Sequence, residues 1–305
     1  MVVPCAPSAC RATLYGEGGR APRYPRVPRE NGSATVRGDG DRPRRFAARP
    51  EPHPGALESG TAGGGRGDPG RNDAGRGPDT TGERTMDVQR RIDDTRRTVA
   101  VDGEGDAATV TIAHDYATGV GDLWDACTDA GRLSRWFAPV SGDLRPGGAY
   151  RVEGNASGRV LACDPPKSFH VSWEFEGARS DVHVTLTPLP AEDGRERTRF
   201  ELAHTSPLGA FWDEYGPGAG GVGWDLSVLG LTLHLETGSD VPLELTGWGT
   251  SAEALAFMER SGRAWEAAHL AAGADPEAVR ACAERTIAAY TRAPDEASGE
   301  ASGQG

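Results

Sequence analysis

GGVGWDLSVLGLTLHLETG, residues 220–238, reads as one apolar helix with a glycine-rich start. Val222, Leu226, Leu229 and Leu233 recur at helical spacing, and Trp224, Val228, Leu231 and Leu235 widen the stripe beside them. A stripe this wide must lie against another layer. Asp225 falls near the start of this helix, where a carboxylate suits the helix dipole. Gly238 is placed to end it in a left-handed cap.

The partner layer is written upstream. Residues 107–116 alternate, with Val110, Ile112, His114 and Tyr116 on one face, and predict a first strand. The stretch DYATGVGDLWDACTDAGRLSRWF (115–137) then gives a strand end and two short helices, the second capped by Asp129 and stopped by Pro139. Strands follow at 142–144, 149–153, 157–163, 168–176, 181–189 and 197–205, separated by turn signals such as Arg145-Pro146-Gly147-Gly148 and PAEDGRE (190–196). In the fourth of these, Phe169, Val171, Trp173 and Phe175 share one face; in the last, Phe200, Leu202 and His204 do. Period-two alternation with short polar turns implies an antiparallel meander. A Gly/Pro-rich loop (206–221) carrying Phe211, Trp212 and Tyr215 leads into the long helix. Two more helices run from Ser251 to Gly273 and from Asp275-Pro276-Glu277 to Tyr290, with Leu255, Met258, Trp265 and Leu270 as apolar anchors. The fold class is therefore α+β, with six or seven strands and one long helix able to enclose a cavity between them.

Composition sets the boundaries. Residues 1–85 hold 14 Arg, no Lys and 10 acidic residues, with runs such as TAGGGRGDPGRNDAGRGPD (61–79). Apolar residues are too sparse there to offset the entropy of ordering the backbone. The expected organisation is a disordered tail and polar linker over 1–106, a sheet-and-helix domain over 107–240, a helical extension over 241–293 and a disordered tail over 294–305, with Met86 an alternative start. Residues 86–305 carry 19 basic and 35 acidic residues, a net charge of −16 that repels nucleic acid and anionic lipid. No apolar run approaches the roughly 18 residues of a membrane span. The five cysteines are scattered with no CxxC pair, which argues against a zinc site or disulfide framework and for a reduced, cytoplasmic protein. No GxxxxGK[ST] loop, GxSxG elbow or metal-ligand spacing is present, so no cofactor is implied.

Several residues carry a resemblance: Leu123-Trp124 with Thr128-Asp129, Trp136-Phe137, Pro165-Pro166 leading to Val171-Ser172-Trp173, and Gly223-Trp224-Asp225. Over 107–237 the chain resembles the SRPBCC or START-like helix-grip superfamily. Within it, the chain looks like bacterial homologues of the activator of the ninety-kilodalton heat-shock-protein ATPase. The helices over 250–292 look like an extension found in actinobacterial members. The resemblance implies a curved sheet gripping the long helix around a cavity. Members bind lipids, hormones or polyketides, or cyclise aromatic polyketides.

Three functions follow as alternatives. The first is a small-molecule binding protein whose hydrophobic ligand meets Trp136, Phe137, Trp173, Phe175, Trp224, Val228 and Leu231. Ordinary core packing is the competing reading of these side chains. The second is a cyclase or aromatase using His114 or His204 as general base. The third is a co-chaperone-like interaction module with an exposed apolar patch on the last two helices. Those helices either cover a sheet edge or form a homodimer interface. His170 and His183 fall on the polar faces of adjacent strands without an evident third metal ligand, and His269 reads as a surface residue.

Overall fold

The computed structural model describes residues 87–292 except Glu104 and Leu144; the expected disordered tails lie outside these residues. The chain begins with helix α1 (Val88–Asp93) and strand β1 (Thr95–Val101). Strand β2 (Ala107–Tyr116) follows, then α2 (Val120–Thr128) and α3 (Ala130–Trp136). The meander comprises β3 (Val140–Gly142), β4 (Ala149–Val152), β5 (Ser157–Asp164), β6 (Ser168–Phe175), β7 (Ala178–Glu192) and β8 (Arg195–Pro207). Short α4 (Ala210–Tyr215) precedes the long helix α5 (Gly218–Thr237). After two 3-10 turns come α6 (Ala252–Ala271) and α7 (Pro276–Thr291). No helix among the described residues is long and apolar enough to cross a membrane.

The eight strands form one antiparallel sheet in the order β1-β2-β8-β7-β6-β5-β4-β3. Register lines up continuous rows across it. One row runs Arg97, Ile112, Leu202, Val184, Phe169, Cys163, and the next runs Val99, Val110, His204, Val182, Val171, Val160. A one-residue slip in any strand would turn its apolar set to solvent, so burial of this face fixes the register. Two hairpins are closed by pairs with positive φ, Glu176-Gly177 and Asp193-Gly194. Such pairs match the twist of antiparallel strands.

Three features differ from the sequence reading. The first is β1, an edge strand formed inside the polar stretch assigned to a linker. Its pattern is hidden because an arginine, Arg97, occupies an inward position among Thr95 and Val99. The second is Asp225, which lies well inside α5 rather than in its first turn. Arg97 and Asp225 explain each other: the guanidinium Nη2 donates to the carboxylate at 2.7 Å, with side chains 6% and 2% exposed. Arg97 Nη1 also donates to the carbonyls of Ile92 and Thr95. Asp225 accepts from Ser261 Oγ and, at 2.9 Å, from Trp265 Nε1. A charge pair this deep is tolerated only because its hydrogen-bonding capacity is filled.

The third concerns α5 itself. It is buried on all sides and not on one stripe, including Ser227, Thr232 and its glycines. Helices α6 and α7 supply the second cover. Trp265 of α6 lies over Gly221, where any Cβ would collide with the indole, and Tyr290 of α7 donates to the Ala219 carbonyl at 2.8 Å. Met258 and Trp265 are each 1% exposed, so these anchors are used within the chain. Leu255 is half-buried against the core and Leu270 is exposed. His269 is buried, with its ring 5.7 Å from that of Trp212, because α7 and α4 enclose it.

Candidate functional site

Between α5 and the sheet lies a cavity of about 350 Å³. The sheet floor contributes the inward rows, including Ile112, Leu202, Val184 and Val171; α5 contributes Trp224, Ser227, Val228 and Leu231. The α2–α3 segment closes the remaining side with Trp124, Cys127, Leu133, Trp136 and Phe137. No lining residue among those described is an acid, a base or a histidine. Burial raises the pKa of the Cys127 thiol to about 12 and also raises that of the Tyr150 hydroxyl, so neither ionises near neutral pH.

Six of the seven side chains assigned to ligand contact line this space: Trp136, Phe137, Trp173, Trp224, Val228 and Leu231. Phe175 does not. It is buried on the same face of β6, but at the strand's end opposite Ala178, where the hairpin turns away. Alternation assigns the face of a strand and says nothing of position along it.

The aromatic wall is held by specific bonds. Trp136 Nε1 donates to the Ala126 carbonyl at 3.0 Å, tying α3 to α2. Tyr150 Oη donates to the Ser172 carbonyl at 2.7 Å. Trp224 and Trp173 lie across from each other with ring centroids 5.5 Å apart, at 60°. Trp224 Nε1 donates to His204 Nδ1 at 3.1 Å. That bond fixes the tautomer, so the proton sits on Nε2, which donates to Ser180 Oγ at 2.8 Å. Ser180 Oγ donates onward to the Trp173 carbonyl at 3.2 Å. His204 therefore links the helix tryptophan to the strand tryptophan.

Neither candidate histidine lines the cavity. His204 is 2% exposed, and burial lowers its pKa to about 3. Both ring nitrogens are engaged, so it positions Trp224 and is not placed to exchange protons with an occupant. His114 lies two inward rows away, opposite Phe200, its Nδ1 3.2 Å from Thr95 Oγ1 and its ring 4.6 Å from that of Tyr116. Burial lowers its pKa as well. His170 and His183 are direct cross-strand partners with centroids 5.6 Å apart. No group of three or more His, Cys, Asp or Glu side chains that could hold a metal forms among the described residues.

Sheet, long helix and enclosed apolar space together define an α+β helix-grip protein. The family described as activator of Hsp90 ATPase homolog 1-like protein matches residues 117–225. The crystal structure of CalU16 from Micromonospora echinospora is 31% identical, covering 57% of this chain and 97% of that one, with a TM-score of 0.44. Its solution structure is 30% identical, covering 58% and 96%, with a TM-score of 0.49. PFC0360w, an HSP90 activator from Plasmodium falciparum, is 23% identical over 33% of this chain and 75% of its own, with a TM-score of 0.29. A comparison with curated proteins gives no match. The chain belongs to the activator of Hsp90 ATPase homolog 1-like family.

Proposed function

We propose that this protein binds a small, flat, uncharged apolar molecule between α5 and the sheet. The observation that carries this reading is the cavity of about 350 Å³ walled by Trp136, Trp173 and Trp224, with no charged residue among the described ones that line it. Ligand pockets run from about 300 to 1,000 Å³ and are mostly apolar. Aromatic walls favour a flat occupant through offset or edge contacts. An ion would leave its hydration shell without receiving a counter-charge, so charged compounds are disfavoured.

A neutral flat fluorophore, 1-aminoanthracene, tests the reading. Titrated into the full chain, it is expected to saturate with enhanced emission and to quench tryptophan fluorescence. Val228→Phe places a ring in the cavity and is expected to weaken binding at least tenfold. No saturable binding by the wild-type chain, or equal binding by Val228→Phe, would count against the cavity as a ligand site.

A further inference from the structure

The cavity is not sealed. Most of its lining residues are buried, but Trp124, Thr128, Val140, Cys163, Pro165 and Phe169 reach solvent. Five of these six lie together. Trp124 and Thr128 sit one turn apart near the end of α2, where Thr128 Oγ1 donates to the Trp124 carbonyl at 2.7 Å. Cys163 and Phe169 are cross-strand partners on β5 and β6, and Pro165 stands in the turn that joins those strands. The two groups meet through one contact, the rings of Trp124 and Phe169, 6.0 Å apart at 75°. The cavity therefore opens between α2 and the β5–β6 hairpin, and a single ring-edge contact spans the opening.

Polarity changes along the same direction. Deeper in the wall the side-chain donors are committed: Trp136 to the Ala126 carbonyl, Tyr150 to Ser172, Trp224 to His204 and Ser227 to Gly223. Trp173 Nε1 is enclosed without a partner. An acceptor group of an occupant placed there would lose its water and gain no donor. The hairpin at the opening is hydrophilic instead, with Asp164 and Lys167 exposed on either side of Pro165-Pro166. We infer that an occupant passes between Trp124 and Phe169 and lies with one end at this opening, which makes the ligand amphipathic: a flat apolar body with its polar group at one end of its long axis. This rests on the ligand-binding reading above. Charge is excluded from the enclosed body and tolerated at an end that keeps its water.

Anthracene-2-carboxylate and anthracene-9-carboxylate are isomers of equal charge. The first carries its carboxylate at one end of the ring system and the second at its centre. Fluorescence titration of the full chain is expected to show the 2-isomer binding about tenfold more tightly, because only its charge stays hydrated at the opening. A second measurement uses the wild-type chain's own thiols. Saturating 1-aminoanthracene is expected to slow alkylation of Cys163 by iodoacetamide about fivefold or more, with Cys282, buried on α7 and absent from the cavity lining, as the unprotected control in peptide maps. In Trp124→Ala, stopped-flow association and dissociation rates of 1-aminoanthracene are both expected to rise, since the contact that spans the opening is gone. Equal affinity for the two isomers, binding of neither, Cys163 alkylated at the same rate with the probe bound, or unchanged rates in Trp124→Ala would overturn this opening and orientation while leaving the cavity reading intact. Failure of 1-aminoanthracene to bind the wild-type chain would overturn the cavity reading itself.

Discussion

Replacing Arg97 with methionine is expected to be among the most damaging changes outside the apolar core. The substitution keeps an unbranched apolar stem and deletes the guanidinium. Asp225 would then stay 2% exposed with only the donors of Ser261 and Trp265. An exposed pair such as Arg90–Asp94 contributes about 0–1 kcal/mol. Removing one member of a buried pair instead costs about 3–5 kcal/mol, because the other charge is left without its counter-ion. Typical domains are stable by only about 5–15 kcal/mol, so this loss takes a large share. For a chain with roughly 200 ordered residues it corresponds to a Tm lower by about 6–20 °C. The double variant Arg97→Met with Asp225→Leu removes both charges and is expected to recover most of the loss, since apolar replacement of a buried pair is often near neutral. Urea unfolding of the full chain, followed by circular dichroism, measures all four corners of the cycle. A loss below about 1 kcal/mol in Arg97→Met, or a double variant no more stable than the sum of its singles, would refute the pairing as the reason β1 is held.

Other expectations concern different parts of the molecule. His204 has a folded pKa of about 3 against an ordinary 6.5, so the unfolded chain takes up a proton first as pH falls. Its contribution is complete above about pH 6.5 and is lost toward pH 3, at up to about 1.4 kcal/mol per pH unit, and His204→Gln should remove that part of the slope in urea midpoints measured from pH 7 to 4. Gly230→Ala sets a Cβ 2.7 Å from the Trp136 carbonyl oxygen and should cost about 1–3 kcal/mol despite alanine's better helix propensity; an unchanged midpoint would mean α3 yields freely. With its pKa raised to about 12, the Cys127 thiol should resist iodoacetamide at pH 8 in the native chain and react on unfolding, as peptide mapping would show. Glu176 has φ 48° in its hairpin turn, so Glu176→Asn should stabilise by a few tenths to about 1 kcal/mol, read from the same unfolding curves.

Where one side chain's environment is set by its neighbours in sequence, the chain discloses its structure. Alternation places β2, β6 and β8 and puts Trp173, Leu202 and His204 on the inner face. The Asp129, Ser251 and Asp275 caps are local signals as well, and each accepts the backbone N–H bonds expected of it. What escapes is set by partners distant in sequence. Arg97 looks like a solvated charge until Asp225, 128 residues later, is placed beside it. Asp225 looks like a cap for the same reason. One signal for the misplaced outer helices was present: α5 is apolar around its whole circumference, and such a helix needs two covers. The cavity wall is largely legible as a face, whereas its limits are not, and Phe175 shows the difference. The unpaired N–H of Trp173 has no sequence signature, since only a full three-dimensional account of acceptors reveals that one is missing.

The double cover on α5 bears on how the site could adapt. The helix has no free back to retreat into, with Trp265 seated on Gly221 and Tyr290 bonded to Ala219. The floor is equally fixed by a paired sheet. Accommodation of a bulkier guest therefore falls to the short α2–α3 elbow that carries Trp124, Leu133 and Trp136. On the ligand-binding reading proposed above, substitutions along that elbow would change the size of guest the cavity accepts.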